Sequence, residues 1–490
     1  MPTFLSKSKY LAGLQCSKLL WYYYNAKEKI PAVSEATQAV FDQGHEVGEL
    51  AKRLFPGGIE VAKDDFDFSH VLSQSKEAIK LRKPLFEAGF KYKSAYARAD
   101  ILVPVGKDQW DIFEVKSSTQ VKNVNLHDLA IQKYTYNGAG LRIRRCHVIY
   151  VNNQYVRRGP IDPKKLLIIE DVSKDVDDLV PEVEGHLNEM TTTIALKRSP
   201  EISIGLQCSD PYDCPMQDIC WKFLPANNVL TLYRLGSKAF ELLDQGVMKI
   251  VDIPESIKLN KSQKIQIEAA RKRRAQINKP AIDDFLKNLE YPLHYLDFET
   301  FGAAIPLFDY VRPYQQIPFQ FSLHVIEKLG AKPVHHSFLA DGEQDPRPEI
   351  LSRLKDLLGT RGSIVSYNAA FERARIRESC EVYPKYSPWW EKIEGRMVDL
   401  LAPFRAFYYY HPMQEGSASM KVVLPALTGK GYEGMAVSDG GTASREFMRV
   451  TFGNPTSAER KKVRSQLERY CARDTEGMVE IVKSLSNLKD

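Results

Sequence analysis

The chain has no apolar run near the roughly 18–20 residues that a membrane-crossing helix needs, and its mean hydropathy is -0.34. No membrane partner is expected. Cysteine is scarce: seven in 490 residues, an odd number in a long chain, which argues against a disulfide framework. No repeat recurs at solenoid or propeller periods. Residues 1–24 hold no apolar signal-peptide core, because Lys and Tyr interrupt them, so a cytoplasmic location is expected. Charge of one sign is also modest; a net +6 permits a nucleic-acid partner without requiring one. What is present is a 43% apolar fraction, 27% charged residues, 24 Tyr and 22 Phe, which exclude a disordered or collagen-like chain. The length exceeds one ordinary core and predicts about three domains of α/β character.

Local chemistry divides the chain into residues 1–225, 226–290 and 291–490. The first holds five of the seven cysteines and strand-like runs around 95–116 and 145–151. The second reads as helical, and eight of its basic residues fall between Lys258 and Lys279 against the single acid Glu268. The third opens with a strand, Leu293 to Phe298, alternates strand and helix patterns, and ends in a long helix from about Ser457.

In the first segment, Tyr96-Ala-Arg-Ala-Asp100-Ile-Leu-Val-Pro-Val105 and Trp110-Asp-Ile-Phe-Glu114-Val-Lys116 flank a polar turn, a hairpin signal. Alternation places Glu114 and Lys116 on one face. Asp100 joins that face only if the loop holds three or five residues, or if a bulge intervenes. Two carboxylates beside an ammonium make a divalent-cation site with a charge that can activate or orient water. Gln132 and Tyr136, four apart in a helical stretch from His127 to Asn137, share a helix face. A hairpin with surface charges is the plainer alternative. The alternation of Glu114 and Lys116 with Phe113 and Val115, which leaves a polar face on a half-buried strand, weighs against it.

This pattern, preceded by Gly44-His45-Glu46, resembles the RecB-like PD-(D/E)xK nucleases, and most closely their CRISPR-associated iron–sulfur exonuclease branch. The resemblance implies that His45, Asp100 and Glu114 hold magnesium or manganese with the Val115 carbonyl. It assigns Lys116 to the water, and Gln132 and Tyr136 to the lining of a DNA groove.

Cys208, Cys214 and Cys220 have five residues between neighbours, and Cys16 lies far upstream. Zinc sites normally use pairs two to four residues apart, whereas iron–sulfur spacing varies more. Ordinary buried thiols are the plainer alternative, but Cys208-Ser-Asp-Pro-Tyr-Asp-Cys214-Pro is loop-like and poor in core residues. The nuclease branch often carries a 4Fe–4S staple of one N-terminal and three C-terminal cysteines. That distribution implies Cys16, Cys208, Cys214 and Cys220 as ligands, with zinc as runner-up. The family more often has a C-x2-C pair in its C-terminal trio; this chain does not.

In the third segment, Asp297 and Glu299 project from one face of a strand. A second strand, Ser363 to Tyr367, leads to Asn368, a candidate helix cap, and to Glu372 on the first turns. Tyr470 and Asp474 share a helix face. Such acids can gather around two cations about 4 Å apart for in-line phosphodiester cleavage. Their order and spacing resemble the DEDDy 3′–5′ exonucleases of ribonuclease H-like fold, with Glu372 replacing the usual second Asp. Asp399 could compensate, although a structural hydrogen bond suits it better. With Gly416-Ser-Ala-Ser-Met-Lys-Val-Val-Leu-Pro425, the segment is similar to an uncharacterised domain often fused to RecB-like nucleases.

The expected architecture is therefore a restriction-endonuclease-like core and a ribonuclease H-like domain joined by a basic helical segment, either a linker with a solvated face or a small domain that contacts DNA phosphates. The expected activity is metal-dependent hydrolysis of DNA, exonucleolytic, from two centres. A single-site nuclease with a nucleic-acid-binding C-terminal domain, or an RNA-directed nuclease, is the alternative; protein partners are unknown.

Overall fold

The computed structural model describes residues 4–61 and 67–488. The chain is a mixed α/β protein of two compact units, Met1–Phe223 with Ala303–Tyr314, and Leu224–Gly302 with Gln315–Asp490. Among the described residues no helix is long and apolar enough to cross a membrane.

The first unit holds one sheet of β1 (Leu5–Ser6), β2 (Ile59–Glu60), β3 (Leu85–Tyr92), β4 (Ala95–Val105), β5 (Gln109–Val115), β6 (Arg142–Val151) and β7 (Leu167–Asp171). Its order is β2-β3-β4-β5-β6-β7, with β1 pairing parallel to β4. β3, β4 and β5 form an antiparallel meander, and β6 returns parallel to β5. That parallel return requires a crossover, which is the helix Asn123–Gly138. Alternation along the strands builds two cores. Leu85, Ala97, Ile112 and Val148 meet that helix and the helix Ser173–Ile194, while Phe86, Ile101, Phe113 and Ile149 meet Val47, Leu50 and Ala51 of the helix Glu35–Lys52. The β4–β5 loop spans three residues, 106–108, and Gly106 takes its positive φ of 56°. The odd loop meets the parity condition, because the register Ile101↔Phe113 continues to set Asp100 opposite Glu114.

The second unit contains β8 (Gln276–Ile277), β9 (Leu293–Phe301), β10 (Ile317–Ile326), β11 (Val334–Leu339), β12 (Ile364–Ser366), β13 (Met397–Asp399) and β14 (Tyr409–Tyr410). Its main sheet runs β11-β10-β9-β12-β13; β10 is antiparallel to both neighbours, and β9, β12 and β13 are mutually parallel. The long C-terminal helix begins at Ser457, as its sequence predicts, with the Thr456 hydroxyl accepting from the Glu459 amide. It lies on the sheet through polar as well as apolar contacts. The Gln320 amide donates to the Leu467 carbonyl (3.0 Å), and the Thr475 hydroxyl meets Ser322 (2.6 Å) and His324 (2.7 Å).

The expected division into three segments is not what forms. Residues 226–290 belong to the second unit, because they bury little on their own: Leu232, Ile250 and Ile267 make a small cluster. The segment packs further on 407–410, where β8 pairs with β14 and Tyr233 and Ala269 meet Phe407 and Tyr410, and through Ile282, which joins the core of Leu293, Phe404 and Met478. Residues 303–314 belong instead to the first unit, where Ala304 is buried beside Phe113 and the Arg157 guanidinium donates to the Pro306 carbonyl (2.9 Å).

Candidate active sites

In the first unit β4 and β5 deliver Asp100, Glu114 and Lys116 to one place, and the helix Asn123–Gly138 adds Gln132. The Lys116 ammonium donates to Glu114 Oε1 (2.7 Å), and Gln132 Nε2 donates to Glu114 Oε2 (2.7 Å). Asp100 Oδ2 accepts from the Val115 amide (2.7 Å), which fixes its carboxylate beside the strand end. Two further residues complete the cluster. Asp128, one helical turn before Gln132, is buried and accepts from Lys116 (2.8 Å) and from Gln132 (3.0 Å). Lys7, carried in by β1, donates to Glu114 (2.8 Å) and lies 3.7 Å from Asp100 and 3.8 Å from Asp128.

Burial pushes the Glu114 carboxyl up to about 7, helped by Asp100 and Asp128 against the two ammoniums. Burial acts in the same direction on Asp128, but Lys116 and Lys7 outweigh it and hold that carboxyl well below its ordinary range. Burial opposes the charge on Lys116, yet Asp128 and Glu114 prevail and keep it protonated. Lys116 is therefore a fixed positive charge, unsuited to act as a neutral base.

Three expectations for this site are corrected. Gln132 is fully buried, with its amide donating to Glu114 and Asp128, so it lines no DNA groove. His45 is exposed on the helix Glu35–Lys52 and, among the described residues, makes no hydrogen bond or ion pair with the carboxylates. That helix turns Val47, Leu50 and Ala51 to the sheet; His45, two residues before Val47, falls on the other side. Tyr136 lines no groove. It is fully buried, packs on Phe90, accepts from the Ala99 amide (2.8 Å) and donates to the Ala88 carbonyl, so it bridges β3 and β4. Beside that bridge Glu87 takes a φ of 59°, pairs with Arg98 (2.8 Å), and has its carboxyl raised by burial and by Asp100.

The four predicted cysteine ligands are brought together. Cys16 separates the helices Lys7–Gln15 and Ser17–Asn25, and Gln15 donates to the Gln207 (2.8 Å) and Tyr212 (2.6 Å) carbonyls of the loop that carries Cys208. The Cys214 amide donates to the Cys208 carbonyl (2.8 Å). Burial raises the Cys214 thiol, as do Cys16, Cys208 and Cys220. Among the described residues, the group of three ligand atoms found within 4.8 Å of one another is Asp297, Glu299 and Cys471, with no trio of these thiols. Tetrahedral zinc needs sulfurs only about 3.8 Å apart, given zinc–sulfur bonds of about 2.3 Å.

In the second unit, Asp297 and Glu299 on β9 sit opposite Ser322 and Gln320 of β10. Together with Glu372, Tyr470 and Asp474 they line a cleft of about 810 Å³. Glu372 is buried on the first turn of the helix Ala369–Val382, and its Oε2 has no hydrogen-bond partner. Asn368 does not cap that helix through its side chain; it takes a φ of 78°. Asp399 accepts from the Asn368 (2.9 Å) and Leu401 (3.0 Å) amides, the structural role that suited it. Cys471 is buried, with its thiol 3.8 Å from Asp297 Oδ2. Lys421, on the helix Met420–Thr428, donates to the Tyr470 hydroxyl (2.9 Å). Its helix comes close because Gly477 faces it; a Cβ there would stand 2.8 Å from Leu424. Asp474 accepts from the Tyr432 hydroxyl.

These acids are buried and repel one another. Burial raises Asp297 and Glu299 well above the carboxylate range, with Asp474 adding to both. Burial brings Asp474 to about 6 and Glu372 to about 8. The donor set is all oxygen but for one thiol, and the unpartnered Glu372 oxygen is directed to no protein group; both fit a hard divalent cation. A raised folded-state value means that the folded form holds extra protons between the ordinary 3.8–4.5 and about 8. Stability is then present at low pH and lost as pH rises through that window. The cation-free protein should lose roughly 5–10 °C of melting midpoint between pH 5 and pH 8, since each pKa unit is worth about 1.4 kcal/mol. Manganese should remove most of that fall. Calorimetry on the parent and on Glu372→Gln measures it, and a flat profile in the cation-free parent would refute the shared-charge account.

The fold and sites thus define a mixed α/β protein with two carboxylate clusters, one threaded by ammoniums and one crowded by acids. Residues 294–419 match the family model described as Domain of unknown function (DUF2779), a span that includes Asp297, Glu299 and Glu372 but ends before Tyr470 and Asp474. No curated protein matches the chain.

Proposed function

We propose that the chain is a metal-dependent nuclease that hydrolyses DNA, exonucleolytically, from two centres, acting in the cytoplasm in repair, processing or defence, with RNA as the alternative substrate. The reading resembles a RecB-like PD-(D/E)xK nuclease joined to a DEDDy exonuclease-like domain. It rests chiefly on the convergence of Asp297, Glu299, Glu372 and Asp474 on one cleft from a strand and two helices. Magnesium or manganese, when bound, would polarise a phosphoryl oxygen and offset the charge that develops there. Asp100, Glu114 and the Val115 carbonyl would hold it in the first unit, and the four acids of the cleft in the second. Lys116 supplies a positive charge beside the attacking water in the first centre. Tyr470, hydrogen-bonded to Lys421, is placed to orient water in the second. A binding-module reading of the second unit draws on Glu372, whose extra methylene alters one side of the acidic set.

The test is digestion of end-labelled single- and double-stranded DNA and RNA with magnesium or manganese, comparing the parent with Lys116→Ala and Asp297→Ala. Product ladders in the parent that each substitution diminishes support two centres. Activity indifferent to Asp297→Ala selects the binding-module reading, and no cleavage of any substrate overturns the nuclease.

The same reading assigns Cys16, Cys208, Cys214 and Cys220 to a 4Fe–4S cluster that staples the ends of the first unit. Anaerobically purified protein should be brown, absorb near ~400 nm and contain about four irons per chain. Colourless protein with one zinc per chain would select zinc instead.

A further inference from the structure

The acidic cleft of the second unit has a rim of the opposite sign, and part of that rim comes from residues 224–290. Tyr233 and Arg234 line the cleft with Arg405, Lys421 and Phe371. Arg234 and Arg405 are exposed, and among the described residues neither forms an ion pair with a carboxylate. Four acids lie on the cleft floor, yet both guanidinium groups stay at its mouth.

The backbone at 233–234 is held firmly. The Tyr233 amide donates to Gln266 Oε1 (2.8 Å), and its carbonyl accepts from Gln263 Nε2 (3.0 Å). Both glutamines are buried, on the helix Lys261–Lys272, so these bonds form away from water. Arg234 has a φ of 52°, a left-handed conformation that costs a side-chain-bearing residue of order 1 kcal/mol and that glycine would adopt freely. Its guanidinium lies 5.1 Å from the Tyr233 ring centroid. The Tyr233 ring is half-buried, edge-on to Phe407 at 5.0 Å. The turn therefore presents one aromatic ring and one cation without a carboxylate partner, at a fixed place, to a cleft lined with buried carboxylates.

We propose that Tyr233 and Arg234 are substrate-positioning residues of the second centre. Arg234, with Arg405, takes phosphates of a single-stranded nucleic-acid end, and Tyr233 packs against a base, so that the terminal linkage reaches Asp297. This rests on the nuclease reading of the cleft. The chemistry is that of single-strand binding in general: cations track the backbone while an aromatic face accepts any base. An acidic floor repels phosphate, and the arginines at the mouth offset that repulsion where the strand enters.

The experiment uses the full chain carrying Lys116→Ala, to silence the first centre, and a short single strand ending in 5-iodouracil. Irradiation without divalent metal should cross-link the terminal base to Tyr233 or Phe371, a readout independent of cleavage. With manganese, Arg234→Ala should raise KM about 10-fold with kcat within about twofold. It should also shallow the salt dependence of kcat/KM by about 0.7, the single-strand value for one lost phosphate contact. Arg234→Lys should restore most of both, and Tyr233→Leu should lose the cross-link at position 233. Arg234→Ala with unchanged KM and salt slope, in protein with parental melting, overturns the proposal alone. Lower kcat at unchanged KM, unrestored by lysine, assigns a structural role and also overturns it. Absence of both cross-link and cleavage in the Lys116→Ala parent overturns the nuclease reading of the cleft and this inference with it.

Discussion

Lys116→Ala, placed in an Asp297→Ala background, is expected to slow DNA cleavage by roughly 10²–10⁴-fold, the usual worth of one positioned catalytic group. The ammonium sits 2.7 Å from Glu114 and 2.8 Å from Asp128 and stays charged, so its contribution is electrostatic. Three carboxylates (Asp100, Glu114, Asp128) face two ammoniums (Lys7, Lys116) in this cluster; after the substitution they face one. The residual charge becomes more negative, which favours a divalent cation. The manganese concentration for half-maximal rate should therefore stay level or fall while kcat drops, the signature of an interaction lost in the transition state. Stripping one partner from a fully buried pair costs about 3–5 kcal/mol of stability. The cost here should be smaller, because Lys7 remains 2.8 Å from Glu114. Rates measured well below the melting midpoint separate the two effects. A variant that cleaves at the parental rate removes Lys116 from the chemistry.

The history of this cluster in the sequence shows what local pattern can reach. Asp100, Glu114 and Lys116 were legible because strand alternation and an odd loop are short-range facts, and the observed loop of three residues satisfies them. Gln132 entered through the resemblance; helix spacing adds only that it shares a face with Tyr136. Tyr136 shares its helix face, but spacing does not tell which neighbours cover that face, and β3 and β4 cover it. Lys7 left no local trace at all. It reaches Glu114 only because β1 pairs with β4 across some ninety residues of chain, as Leu5↔Ala95. Asp128 did carry a signal: it precedes Gln132 by four residues, so the two must share a helix face.

The acidic cleft divides in the same way. Asp297, Glu299, Tyr470 and Asp474 follow from strand and helix periodicity together with the resemblance to known exonucleases. Asp399 as the group that receives the Asn368 amide depends on β13 lying beside β12, a tertiary fact. The contribution of Tyr233 and Arg234 depends on residues 226–290 packing within the second unit. A segment whose own apolar cluster is as small as Leu232, Ile250 and Ile267 is poorly suited to stand alone.

Asp297 offers the sharpest test of the second centre, because stability and activity should move in opposite directions. Its carboxyl is buried and raised well above the ordinary range by burial, by Asp474, by Glu299 and by Glu372. Asp297→Asn keeps the shape and removes one of the four repelling charges. Cation-free protein should therefore melt higher than the parent at pH 8, where the parent's acids are most strained, and nearly the same at pH 5. The stabilisation that manganese confers by binding the folded state should shrink with the affinity of the site. Cleavage that persists in a Lys116→Ala background should fall by about 10³-fold or more, since Lewis-acid assistance is worth several kcal/mol and each 1.4 kcal/mol is tenfold in rate. Glu372→Asp should act differently: by shortening one arm it should change the ratio of magnesium- to manganese-supported rates, because magnesium demands stricter geometry. If Asp297→Asn melts higher and binds manganese poorly but cleaves at the parental rate, the cleft holds a cation without catalysing. The second unit is then a metal-stabilised module that grips nucleic acid for the first.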